Sequence, residues 1–234
     1  MPKAPRTTRS SARNEASSAS SKKTTTTVTT KAEDSVSNQA EATLEPSTDG
    51  KNDQPAYFWK PTQGNGYLGQ WYWTPFTHEG EEYVTAEMWM MVGKARLFGD
   101  EDIAREMLET TDPKRHKALG RQVRRFDAEV WDKNKRDIVT RGNYLKFTIS
   151  EDAEKLRGML LATGERELVE ASPMDRIWGI GFAEKNAGKS RARWGKNLLG
   201  KCLEEVRAML REEKDKVEGD GEGGAEKDKN AAEE

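Results

Sequence analysis

The segment Thr85–Ala95, TAEMWMMVGKA, constrains how this chain can be buried. Met88, Trp89, Met90, Met91 and Val92 make it apolar nearly all round, and a helix of that kind is buried on most sides. Thr85 is placed to cap its start. The segment also carries two charges, Glu87 and Lys94. Seven residues apart, they share one face and stand roughly 10 Å apart along the axis. Taken singly, Glu87 reads as a first-turn acid favoured by the helix dipole and Lys94 as a last-turn cation reaching for water. Together on an otherwise apolar helix they point to a site, because an unpaired buried charge is expensive.

The rest of the body reads as a helix-rich α+β domain with short strands. Tyr57–Trp59 and Glu82–Val84 read as strands, and Tyr67–Trp73 as a strand or extended loop. Gly64-Asn65-Gly66 and His78-Glu79-Gly80 are turn signals. Helices are expected from Asp100, with Ile103, Ala104, Met107 and Leu108 inward, and from Asp112-Pro113 to Leu119-Gly120. Another is expected over about Ala128 to Arg141, with helix or irregular turn from Tyr144 to Phe147. Ser150 is expected to cap a helix that ends at Gly164, and a last helix runs from Asn197 to about Leu210. Glu184 to Arg193 reads as a polar loop able to act as a mobile lid.

The stretch Leu168–Phe182, LVEASPMDRIWGIGF, is the one around which the chain is organised. It opens with a short apolar run and the carboxylate Glu170, then turns at Ala171-Ser172-Pro173. Asp175, Arg176 and Trp178 follow, with Gly179 and Gly181 bracketing Ile180. Such a grouping suits a pocket wall; its structural alternative is a buried Asp–Arg pair beside a core tryptophan. Arg121, just past a helix end, either reaches an anion or caps carbonyls.

Composition excludes several classes. A net charge of −2, from 39 basic and 41 acidic residues, gives no global field for nucleic acid. The single cysteine, Cys202, cannot form an internal disulfide and reads as core, which suits a reducing compartment. His78 and His116 make no metal-ligand spacing with it, so no metal and no cofactor is expected. No apolar run approaches a membrane span, and no signal peptide is visible. Localisation is expected in the cytoplasm or the nucleus. Residues 1–54, rich in Ser and Thr, read as a disordered tail. Their basic bias, from Lys3 to Lys23, lacks the apolar face of a transit helix. Residues 212–234 read as a disordered acidic tail, leaving 55–211 as the catalytic domain. The partners of both tails are open.

Five segments occur in order: GYLGQWYWTPF, EEYVTAEMWMMVGKA, ALGRQV, LLATGERELVEASPMDRIWGIGF and RWGKNLLGKCLEEVRAML. Together they closely resemble the NADAR, or YbiA-like, superfamily over about Tyr57 to Leu210. VEASPxDxxWGIG followed by WGxNLLG is the specific part. The resemblance implies a helix-rich α+β fold and cleavage of N-glycosidic bonds. The substrates it implies are phosphoribosylamino-pyrimidine intermediates of riboflavin synthesis, or ADP-ribose on guanine, including guanine in nucleic acid. It places Glu87 and Lys94 at the family's acid and lysine positions, whereas Met88 and Trp89 depart from the usual pair. Asp175 and Trp178 match the DxxWG motif, with Arg176 at its variable position. Trp194, Gly195 and Asn197 match a WxGxN-type pattern with spacing one residue tighter.

On this reading Glu87, Asp175 and Lys94 supply the chemistry. A carboxylate stabilises the oxocarbenium-like state and orients water. An acid or ammonium protonates the departing base, and a desolvated lysine can attack the anomeric carbon. Trp71 or Trp178 can stack on the base, while Arg121 or Arg176 can hold a phosphate. Trp194 and Asn197 complete the expected binding set for a small nucleotide-like substrate. Two other functions are carried alongside: a non-catalytic ADP-ribose or nucleotide-binding module, and a scaffold that works through its tails.

Overall fold

A computed structural model describes residues 54–222, with side chains through 216. The expected N-terminal tail and the last part of the acidic tail lie outside the described residues. In order, the elements are β1 (Ala56–Phe58), a 3-10 turn (Gly66–Leu68), β2 (Phe76–His78), β3 (Glu81–Tyr83), α1 (Ala86–Leu97), α2 (Glu101–Leu108), α3 (Pro113–Leu119), α4 (Ala128–Thr148), α5 (Ala153–Leu161), β4 (Leu168–Glu170), α6 (Glu184–Ala187), a second 3-10 turn (Gly188–Arg193) and α7 (Leu198–Glu222). The α+β, mainly helical class follows.

The all-round apolar segment is the central helix. α1 packs against α2, α3 and α4, and buries Met88, Met90, Met91, Val92 and Ala95. Thr85 caps it, accepting from Met88 N at 3.2 Å. Asp112 and Asp127 cap α3 and α4 in the same way. These side-chain oxygens satisfy first-turn N–H groups that have no helical partner.

Strands are few and short. β1 and β4 pair in parallel, with Ala56 opposite Leu168 and Phe58 opposite Glu170. β2 and β3 form a separate antiparallel hairpin, whose turn puts Glu79 and Gly80 at positive φ. The chain from Tyr67 to Trp73 is the 3-10 turn and an irregular loop rather than a strand. Fully buried Lys146 of α4 holds it, donating to the Tyr67 carbonyl at 2.5 Å and the Gly69 carbonyl at 3.0 Å.

Three expectations need correction. α4 does not stop near Arg141 but runs unbroken to Thr148, with Gly142 inside it. The Trp89 indole packs where a Cβ at residue 142 would lie, within 2.3 Å of that position, so this glycine serves close packing rather than termination. Ser150 does not cap α5; its hydroxyl donates back to the Lys146 carbonyl at 2.7 Å, and Asp152 takes the cap position. α7 continues past Leu210 to Glu222. There Glu213 accepts from the Tyr144 hydroxyl at 2.7 Å and pairs with Arg157 at 3.7 Å, tying the extension to α4 and α5.

Candidate active site

Three acids from three elements meet at the carboxyl end of the β1–β4 pair. Glu87 lies in the first turn of α1 and is 5% exposed. Its N–H donates to the Gln70 carbonyl at 3.0 Å, and the Trp71 indole hydrogen-bonds to its carboxylate. Glu170 is the last residue of β4. Asn197 fixes that strand end, accepting from Glu170 N at 3.0 Å and donating to the Leu168 carbonyl at 2.8 Å. Asp175 closes the turn after Pro173. Its Oδ1 accepts from Ile177 N and Trp178 N, both at 2.8 Å. Opposite them Lys117, on the exposed side of α3, acts on both glutamates.

Electrostatics sets the three apart. Burial pushes the Glu87 carboxyl up to about 7; Lys117 and the Trp71 indole oppose this, and Asp175 adds to it. Burial pushes Glu170 up to about 8, with Asp175 and Glu87 adding and Lys117 opposing. Glu170 Oε2 is buried and has no protein hydrogen-bond partner. Buried polar atoms are almost always paired, so an orphaned carboxylate oxygen beside two more acids reads as one kept for a ligand. Two carboxyl groups that hold protons near neutral pH, next to a third acid, can act as acid and base in one site.

The raised values carry a stability cost of known sign. Between pH 4.5, the ordinary carboxyl value, and about 8, the folded protein holds protons that the unfolded chain has released. Stability therefore falls as pH rises through that window, by about 1.4 kcal/mol for each tenfold change in proton affinity. Glu170→Gln cannot ionise and loses its part of the slope. We expect it to melt above wild type at pH 8.5 and close to wild type at pH 4. Parallel melting curves across that range would show that burial of Glu170 carries no such cost.

The expected site is only partly assembled. Glu87, Asp175 and Trp71 come together, and half-buried Trp178 sits on the Asp175 turn, its indole packed against the main core. Lys94 does not join the acids. Its ammonium donates to the Gly120 carbonyl at 2.5 Å, 4.3 Å from the centre of the Phe126 ring and 5.7 Å from that of Trp131. Among the described residues no charge interaction links it to Glu87 or Asp175. Burial lowers its pKa.

Three expected binding residues are occupied elsewhere. Both ends of the Asn197 amide hold β4. Trp194 lies in the smaller core cluster, donates to the Ala187 carbonyl at 2.9 Å and carries the Arg191 guanidinium on its ring at 4.0 Å. Arg176 donates to the Arg193 carbonyl at 2.7 Å and stacks near Phe182. Its side chain fills the space beside Gly181, where φ is +76° and a Cβ would lie 2.6 Å from Arg176 Cγ. The Gly179–Gly181 pair thus serves packing, not room for a ligand against Trp178. The same contacts pin the 184–193 segment, which Arg191 also ties to Glu167 at 2.5 Å, so it is a helical turn and not a loose lid. Arg121 is exposed, and its backbone N–H closes the end of α3 on the Ala118 carbonyl.

Glu170 and Lys117 are the residues that sequence reasoning left out of the site. Glu170 was visible as the carboxylate ending an apolar run. Nothing marked Lys117, an ordinary lysine on a polar helix face.

Comparison with known proteins agrees with this architecture. The family model described as the NADAR domain matches residues 57–211. N-glycosidase R617 of Acanthamoeba polyphaga mimivirus is 44% identical over 155 residues, 63% of this chain and 89% of that protein. A riboflavin biosynthesis protein of Vibrio vulnificus is 28% identical over 163 residues, 68% of this chain but only 40% of that protein. N-glycosidase YbiA of Escherichia coli is 30% identical over 140 residues, 60% of this chain and 78% of that protein. The NMR structure of E. coli YbiA superposes with a TM-score of 0.55 at 26% identity, covering 69% of this chain and 88% of YbiA. With the domain match spanning most of the described body, the chain belongs to the NADAR domain family.

Proposed function

We propose that Glu87, Glu170 and Asp175 form the catalytic centre of an N-glycosidase acting on a nucleotide-like substrate. The chain is a hydrolase of N-glycosyl bonds, as its family membership and its N-glycosidase relatives support. The observation that carries the residue assignment is the unpartnered, buried Glu170 Oε2 beside two further acids.

Cleaving a ribosyl–nitrogen bond places positive charge on the anomeric carbon and negative charge on the departing base. Asp175, whose Oδ1 is held by two backbone N–H groups, is placed to face the cationic carbon. Glu87 and Glu170, protonated near neutral pH, supply a proton to the base and then take one from water. The Trp71 indole steadies Glu87 and offers a face for the base. Lys94 stands two turns further along the same face of α1. Its ammonium is taken up by the Gly120 carbonyl and the Phe126 and Trp131 rings, so no step is assigned to it here.

Candidate substrates are phosphoribosylamino-pyrimidines and ADP-ribosylated guanine, free or in nucleic acid. The test is incubation of the purified full chain with each, reading released base and ribose product. Release of neither, with saturable binding retained, would favour the nucleotide-binding module instead.

A further inference from the structure

The start of α1 is held from outside by the loop that precedes the β2–β3 hairpin. Glu87 lies in the first turn, where a backbone N–H has no acceptor within the helix. Thr85 Oγ1 takes the next such group, from Met88, and the Gln70 carbonyl takes that of Glu87 at 3.0 Å. The Gln70 side chain turns back onto the same point, where its Nε2 reaches the Ala86 carbonyl at 3.5 Å. Trp71, the next residue, hydrogen-bonds to the Glu87 carboxylate. Both the backbone and the acid group of Glu87 therefore depend on where Gln70-Trp71 sits.

The Gln70 side chain is in turn fixed by α4. Asn143 is fully buried, and its Nδ2 donates to Gln70 Oε1 at 3.0 Å and to the Val139 carbonyl, one turn back, at 2.9 Å. Gly142 beside it lets the two helices approach, with the Trp89 indole of α1 packed against that glycine. Stability alone gives a poor account of Asn143. Its Oδ1 is buried with no hydrogen-bond partner among the described residues. A buried orphaned acceptor is a cost that an apolar side chain of the same shape avoids. The bond that Asn143 makes beyond its own helix goes to Gln70.

We propose that Asn143 and Gln70 are positioning residues of the catalytic centre: Asn143 fixes the Gln70 carboxamide, and Gln70 with Trp71 sets the placement of Glu87. Misplacing a reacting group by about 1 Å costs on the order of 10²-fold in rate, so a contact that adds little to stability still serves turnover. Asn143 acts through Gln70 and Gln70 through Glu87. Their value to turnover rests on the N-glycosidase reading above; their hold on Glu87 does not.

Asn143→Leu keeps the shape and removes the amide, and Gln70→Met keeps the length and removes the carboxamide. In the full chain both should melt close to wild type. Each should lower kcat for base release by about tenfold or more, with KM changed by less than about twofold. The double variant should lose no more than the worse single one, because the two residues act in one relay. In all three the Trp71 indole N–H resonance, assigned by its absence in Trp71→Phe, should move towards its position in Glu87→Ala. The Trp194 resonance, whose indole is bonded to the Ala187 carbonyl, should stay in place. Losses that multiply in the double variant, a rise in KM alone, or an unmoved Trp71 resonance overturn the relay. A low-melting Asn143→Leu makes Asn143 a structural residue and overturns it too. A wild type that releases no base from any substrate named above would sink the N-glycosidase reading instead, and the Trp71 resonance would still decide the relay.

Discussion

Glu87→Gln lowers the rate of base release at saturating substrate by on the order of 10³-fold, the scale of removing a positioned acid or a charge stabiliser. The amide keeps the shape and can still meet the Trp71 indole, but it cannot exchange a proton or carry charge. Folding should survive, because a neutral amide at a site where burial disfavours the carboxylate costs little, and circular dichroism checks this. Glu170→Gln should show a loss of similar size without loss of fold. Lys94→Arg divides two roles for that lysine. Arginine keeps the charge but stays protonated and is a poor nucleophile. Loss of turnover, with a borohydride-trapped adduct present only in wild type, assigns attack to Lys94. Retained turnover assigns it a structural role, consistent with its place between the Gly120 carbonyl and two rings. Wild-type rates in Glu87→Gln and Lys94→Arg together would reject the catalytic reading of α1.

What the sequence made legible was local. The central position of α1 follows from a segment apolar all round, and the caps at Thr85, Asp100 and Asp112 follow from residue type. The parallel β1–β4 pair was not legible, because its partners lie more than a hundred residues apart and each strand has only three residues. Without that pair Glu170 is one acid after an apolar run; with it, Glu170 ends a buried strand facing Glu87. The motif WGKNLLG suggests substrate contacts by its residue types, while the contacts its side chains make are to the protein itself. Asn197 and Trp194 earn their places by holding β4 and the 184–193 segment. A polar side chain in a motif looks the same whether it binds ligand or backbone, and only its partners tell the two apart. Lys94 and Glu87 share a helix face as the spacing required, yet the neighbours of each come from different elements.

Lys146→Ala should be the most destabilising single change among the buried polar residues. Lys146 is fully buried in α4, and burial pulls its pKa down to about 7. Even as a neutral amine it has two N–H donors, matching the carbonyls of Tyr67 and Gly69. Alanine leaves the Tyr67 carbonyl without a partner, leaves the Gly69 carbonyl with Tyr72 N alone, and opens a cavity, a loss of roughly 3 to 5 kcal/mol. For a domain of this size that lowers Tm by on the order of 10 °C. Lys146→Met separates the two contributions, since it fills most of the volume and restores no donor. It should lose about half as much stability. It should also lose activity, because the loop held by Lys146 continues into Gln70 and Trp71, and these meet Glu87. Asn143, one turn earlier, supports the same loop by donating to Gln70 Oε1 at 3.0 Å. A variant that melts like wild type and turns over normally would mean that the 67–71 loop holds its shape without α4, and that Glu87 is positioned by α1 alone.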